Sequence, residues 1–178
     1  MHEVRRNLIP LAACGSRVRR SLALLPKERL LAMTDSDLIR FVNAQASVHD
    51  QVIAELTGGR KRTHWMWFIF PQLSGLGHSP MAQRYAIQDL EQAKRYLADP
   101  ILGSRLRQDV RLMIGHKAKS ALEVLGSLDD LKFRSCLTLF ARAASNTPDR
   151  ALFEEALHQF YKGPDLRTMR LLAAMSQS

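Results

Sequence analysis

An all-α fold, a single compact domain of about seven short helices, is what this sequence predicts, on three observations. Apolar residues recur three and four apart along most of the chain. A capping residue, several times followed by proline, stands before nearly every such run. No segment alternates apolar and polar residues with period two beyond a few positions, and no internal repeat suggests a solenoid.

The elements follow in order. Leu38, Phe41, Val42, Val48, Val52, Ile53 and Leu56 fall at helical spacing with a break near Ser47, and Gly58-Gly59 ends the run. Ser79-Pro80 gives an N-cap and a first-turn proline to a short helix through Tyr85. Gln88 to Leu97 is another helix, with Leu90, Ala93 and Leu97 on one side. Asp99-Pro100 repeats the device before Leu102, Leu106, Val110 and Met113, and Gly115 stops that helix. Ser120 precedes a brief turn to Leu125. Ser127, Asp129 and Asp130 open the most apolar helix, carrying Leu131, Cys136, Leu139, Phe140 and Ala143, which is expected near the centre. Thr147-Pro148-Asp149 starts a helix through Phe160, and Asp165 caps a last one containing Leu166, Met169 and Leu172. Thr63 to Phe70 is apolar without periodicity; with no partner strand evident, a buried helix is expected there.

A chain of 178 residues fits one domain, and 46% apolar with 24% charged residues excludes wholesale disorder. Two cysteines, without CxxC or paired His spacing, support no disulfide scaffold, redox motif or metal site. No apolar run approaches the roughly 20 residues that cross a bilayer, so no membrane partner and a cytoplasmic location are expected. The formal charge of +9 invites a nucleic-acid reading, but residues 1–32 hold seven Lys and Arg against two Glu and so carry +5 of it. The chain therefore divides into a basic extension over 1–32, expected to be non-core or disordered, and a helical domain over 33–178. Met33-Thr34-Asp35-Ser36-Asp37 is a helix-start signal that also suits a translation start at Met33. A basic arm for anionic polymers, or an export signal ending near Cys14, are the competing readings of the extension.

Candidate chemistry concentrates between Arg60 and Tyr85. Arg60, Lys61 and Arg62 can hold phosphate or carboxylate, the arginines in a two-pronged fashion. Trp65 and Trp67 offer faces for stacking, Gln72 and Tyr85 add polar groups, and Gly75-Leu76-Gly77 with Ser79 places a loop before a helix start. His64 is the candidate acid or base, with Lys132 as helper and Ser135 a turn away. Each has a plain structural alternative. Cations gain from a helix C-terminus, tryptophans fill cores, and a helical serine bonds back to its own backbone. The expected ligand is small, anionic and nucleotide-derived, bound by a cofactor-independent enzyme or a protein that only binds. A nucleic-acid module built on the basic arm with Arg60–Arg62, or a structural or interaction domain, is the alternative.

The run His64-Trp65-Met66-Trp67-Phe68-Ile69-Phe70-Pro71-Gln72, with Tyr85-Ala86-Ile87, Pro100-Ile101-Leu102-Gly103 and Leu137-Thr138-Leu139-Phe140, resembles the bacterial family catalogued as domain of unknown function 1810 (DUF1810). The resemblance covers roughly Asp35 to Leu172. It implies a single all-helical domain that starts near Met33, and it implies no reaction. The label calpastatin, attached to the family in some genomes, implies a protease inhibitor acting through disordered segments. A cap-rich, core-bearing chain does not fit that label.

Overall fold

The computed structural model describes residues 36–177. Ten helices follow one another there: α1 (Ile39–Ala46), α2 (His49–Thr57), α3 (Met66–Ile69), α4 (Pro80–Arg84), α5 (Leu90–Ala98), α6 (Leu102–Ile114), α7 (Ala121–Leu125), α8 (Asp129–Ala143), α9 (Asp149–Phe160) and α10 (Leu166–Met175). Seven have eight or more residues, while α3, α4 and α7 are single turns of four or five. The expectations for residues 1–32, and for a start at Met33, lie outside the described residues.

Side-chain oxygens close several helix starts, at Ser79, Asp99, Ser120 and Asp165 as the sequence predicts and at Asp89 where it does not, whereas Thr147 before α9 supplies no such cap. Ser79 Oγ accepts from Ala82 N, Asp89 from Gln92 N, and Asp165 from Thr168 N. Ser120 and Glu123 form a reciprocal capping box on α7. Asp99 Oδ1 accepts from the amides of Ile101 and Leu102 at 2.9 and 2.8 Å. The break at Ser47 separates α1 from α2. The start of α8 departs from the pattern: Leu128 stands there with φ 69° and no side-chain cap, and Asp129 and Asp130 supply only negative charge to the first turn.

Helix α8 is the central element, packed on α5, α7, α9 and α10. Its Phe133, Cys136, Leu137, Leu139 and Phe140 are fully buried. Phe140 meets Tyr96 of α5 and Phe153 of α9 at ring-centroid distances of 5.3 and 6.0 Å.

Of the segment Thr63–Phe70, expected as a buried helix, only Met66–Ile69 forms a helical turn: Trp65, Met66, Phe68, Ile69 and Phe70 are inside, while Thr63 and Trp67 are half-buried and His64 is exposed. A single turn has almost no stability of its own, so tertiary bonds must fix it. Gln45 of α1 supplies one, its Nε2 donating to the Phe68 carbonyl at 2.7 Å and to the Tyr96 hydroxyl at 3.1 Å. Arg105 Nη1 in turn donates to Gln45 Oε1 at 3.2 Å. Beyond α3 the chain runs extended through Leu73, which forms an isolated parallel bridge with Ile87. Ile87 N donates to Gln72 O at 2.9 Å and Ser74 N to Ile87 O at 2.8 Å.

Candidate functional site

The residues expected to form one site divide into two groups. The first is organised by Glu55 at the end of α2, a residue that composition and spacing did not single out. Its buried carboxylate accepts from Arg62 N at 2.8 Å, Thr63 N at 3.2 Å, Thr63 Oγ1 at 2.7 Å, Trp65 Nε1 at 2.8 Å and Gln51 Nε2 at 3.2 Å. Burial works against its charge, but the hydrogen bonds led by Arg62 N and the Thr63 hydroxyl outweigh burial and draw its pKa down to about 2.

These bonds correct the placement of the aromatic and basic candidates around it. Trp65 is 1% exposed, its ring edge-on to Phe70 and its N–H spent on Glu55, so it has no face to offer a ligand. Tyr85 is also buried, against Phe41 and Phe68. Arg60, Arg62 and His64 are exposed at the surface and line none of the clefts described below. Lys61 is held by Asp129 at 2.7 Å with its ammonium 5.2 Å from the Trp65 ring centre.

The second group converges. Trp67, Gln72, Gly77, Ser79, Lys132 and Ser135 all line one cleft of about 520 Å³ between the loop that precedes α4 and the starts of α8 and α10. His78, Arg134, Asp165 and Arg167 join them, together with Leu76, Leu128 and Leu131. Helical spacing explains part of this: Trp65 at the N-cap of α3 and Met66, Phe68 and Ile69 within it are buried, which leaves Trp67 half-buried. Lys132 lies 5.0 Å from the centre of its indole ring, so one face of Trp67 carries an ammonium.

Three cations face one carboxylate in the cleft. Lys132 Nζ bonds Asp129 Oδ1 at 2.6 Å and keeps two further donors. Arg134 gives Nε to the Gly163 carbonyl at 3.0 Å and Nη2 to that of Pro164 at 3.1 Å, a tether that leaves three N–H groups. Arg167, in the first turn of α10, is exposed and makes no side-chain bond among the described residues. Asp165 is already committed, accepting from Thr168 N at 2.9 Å, Thr168 Oγ1 at 2.6 Å and Ser135 Oγ at 3.2 Å. Burial opposes its ionisation, yet the Thr168 and Ser135 bonds and the nearby Arg134 hold its pKa below the usual carboxylate range.

Ser135 Oγ also reaches the Leu131 carbonyl at 3.2 Å, so the back-bonding role and the cleft-lining role coincide. Ser79 Oγ is occupied as the cap of α4 at 3.2 Å. The two glycines have separate structural reasons. Gly75 takes φ +86°, and a Cβ on Gly77 would stand 2.6 Å from that of Ala82, so only glycine lets this loop lie flat on α4. On the cleft rim Leu128 combines positive φ with a side chain 67% exposed, a backbone state costing about 1–3 kcal/mol.

Sequence reasoning missed Arg134, Asp165 and Arg167 as site residues. The first sits two positions from Lys132, and the other two follow the Gly163-Pro164 turn; only the packing of α10 on α8 brings them together. A second groove of about 600 Å³ between α8 and α9 has an apolar floor of Ala141, Leu157 and Met169 and contains none of the expected site residues. Among the described residues no helix is long and apolar enough to cross a membrane, and no group of three His, Cys, Asp or Glu could hold a metal ion.

No curated protein matches the chain. A solved structure of a conserved hypothetical protein from Mycobacterium tuberculosis is 50% identical, with a TM-score of 0.74 over 77% of this chain and 96% of that one. A sequence-family match spans residues 35–172, and by it this chain belongs to the family described as protein of unknown function, DUF1810.

Proposed function

We propose that this protein binds a small, phosphate-bearing ligand in the cleft between the pre-α4 loop and the starts of α8 and α10. One observation carries the reading: Lys132, Arg134 and Arg167 converge on a concavity that also holds an indole, with donors left over after their internal bonds are counted. Guanidinium pairs and an ammonium suit phosphate oxygens, and the partial enclosure strengthens each contact relative to open water. The exposed part of Trp67 with Leu76, Leu128 and Leu131 gives an apolar wall against which a planar ring can lie. A nucleotide-derived ligand combines these two requirements. The imidazole within the cleft is that of His78, so a proton-transfer step there would use His78 and not His64.

The test is calorimetric titration of full-length protein with inorganic phosphate, pyrophosphate and AMP, repeated on Lys132→Ala, Arg167→Ala and, as a control outside the cleft, Arg62→Ala. The reading expects at least one of these anions to bind. It expects affinity to fall about tenfold or more for the two cleft variants, the effect of one lost charge-assisted bond, and to stay unchanged for the control. Equal loss in all three variants, or binding only of long RNA or DNA with a steep salt dependence, would replace it with the basic-surface reading.

A further inference from the structure

The cleft has a neighbour of opposite chemical character. A second cavity of about 380 Å³ lies on the other side of the Gly75–Ser79 loop and shares Gln72, Gly77, His78 and Ala82 with the first, so the two adjoin along that edge. Its remaining lining residues carry no charge, and Ser74, Gln83 and Gln88 supply its polar groups.

The bridge between Leu73 and Ile87 explains how those groups come together. Successive side chains of an extended segment point to opposite faces. Leu73 and Ile87 are 1% and 0% exposed, so they point inward, and their flanking residues Gln72, Ser74 and Gln88 share the outward face that lines the cavity, with the buried Ala86 beneath them. The backbone beneath is fixed by the two bridge hydrogen bonds at 2.8 and 2.9 Å. Among the described residues the side chains of Gln72, Ser74 and Gln83 make no hydrogen bond, so a carbonyl, an amide and a hydroxyl group stand ready on a rigid base.

We infer that the ligand is bipartite: its phosphate sits among Lys132, Arg134 and Arg167, and a neutral, hydroxyl-rich group joined to it, a sugar, occupies the amide-lined cavity. This rests on the anion-binding reading above and narrows it. Uncharged amides and hydroxyls match sugar hydroxyls donor for acceptor, and they gain little from a bare anion. Gln72, on the edge common to both cavities, faces the junction between the two parts. The sugar comes either as a simple sugar phosphate or as part of a nucleotide, and the probes separate these sources.

The experiment titrates full-length protein with inorganic phosphate, ribose 5-phosphate, AMP and UDP-glucose, and repeats the series on Ser74→Ala, Gln83→Ala and Lys132→Ala. Gln83 is exposed on a single-turn helix and Ser74 makes no side-chain bond, so neither change threatens folding; equal melting temperatures check this. Sugar-bearing probes are expected to bind at least tenfold more tightly than phosphate. They should lose roughly three- to tenfold affinity in Ser74→Ala or Gln83→Ala, while phosphate loses none. Preference for ribose 5-phosphate over both nucleotides identifies a sugar phosphate, and the reverse identifies a nucleotide. If phosphate and the sugar-bearing probes bind equally and respond only to Lys132→Ala, the second compartment is overturned while the anion site stands. If no probe binds, both fall together.

Discussion

The Glu55 cluster and the Trp67 cleft are built from the same kinds of residue, a tryptophan with cations and small polar groups, only two positions apart in the chain. They differ in how many of those groups are already used. Around Glu55 the indole N–H, two backbone amides and a hydroxyl converge on one carboxylate, and Trp65 is sealed in. In the cleft the indole is half-open, Arg167 makes no side-chain bond among the described residues, and Lys132 and Arg134 retain donors. A basic-aromatic motif therefore identifies a ligand site only after its internal hydrogen bonds have been counted.

Four experiments would break or sharpen this contrast. Trp65→Ala removes a fully buried ring and takes one of its five donors from the Glu55 carboxylate, so a loss of about 3–5 kcal/mol is expected in chemical denaturation. The half-buried Trp67→Ala should cost clearly less; equal costs would erase the distinction. Next comes pH. The Glu55 pKa of about 2 lies below its ordinary 4.5, so its contribution is present above pH 4.5 and disappears as pH falls from there through 2. On the order of 2–3 kcal/mol of stability should vanish across that window in the wild type, and a Glu55→Gln variant, measured by thermal unfolding at each pH, should lack the slope.

A smaller effect is expected at the hinge between the two cavities. In Gly77→Ala the new Cβ meets Ala82 at 2.6 Å and lifts the loop from α4, at a cost of about 1–2 kcal/mol with a fall in phosphate affinity. Arg62→Ala and His64→Ala should do least. Both side chains are exposed outside the cleft, so melting should change by no more than the equivalent of about 0.5 kcal/mol and phosphate affinity should hold. A change in affinity there would return the site to the Arg60–Trp65 segment.

Several helix starts were legible because a cap is a local event: Ser79, Asp99, Ser120 and Asp165 each bond an amide within three residues. The burial of Trp65, Met66, Phe68, Ile69 and Phe70 was legible from the apolarity of Thr63–Phe70, but not the exposure of His64 or the half-burial of Trp67 within it. The capless start at Leu128 was not, since Ser127 and Asp129 on either side both read as better caps. Six of the fourteen residues lining the candidate cleft, Trp67, Gln72, Gly77, Ser79, Lys132 and Ser135, were legible as well, because residue type alone marked them. What separated Trp65 from Trp67 was the reach of Glu55 across seven to ten positions, and what added Arg134 and Arg167 was the docking of α10. Neither leaves a trace in spacing.

Asp129 binds Lys61 at 2.7 Å on one side and Lys132 at 2.6 Å on the other, and so joins the saturated region to the open one. Burial opposes its charge, but the two lysines keep its pKa below the ordinary carboxylate range, so this counter-ion is permanently in place near neutrality. An anion bound as proposed would therefore share Lys132 with a resident competitor. On the proposed anion-binding reading, a monovalent guest such as chloride or acetate would add little to a pairing already made, whereas a dianion would draw on the arginines at the same moment, and the cleft would select by valence.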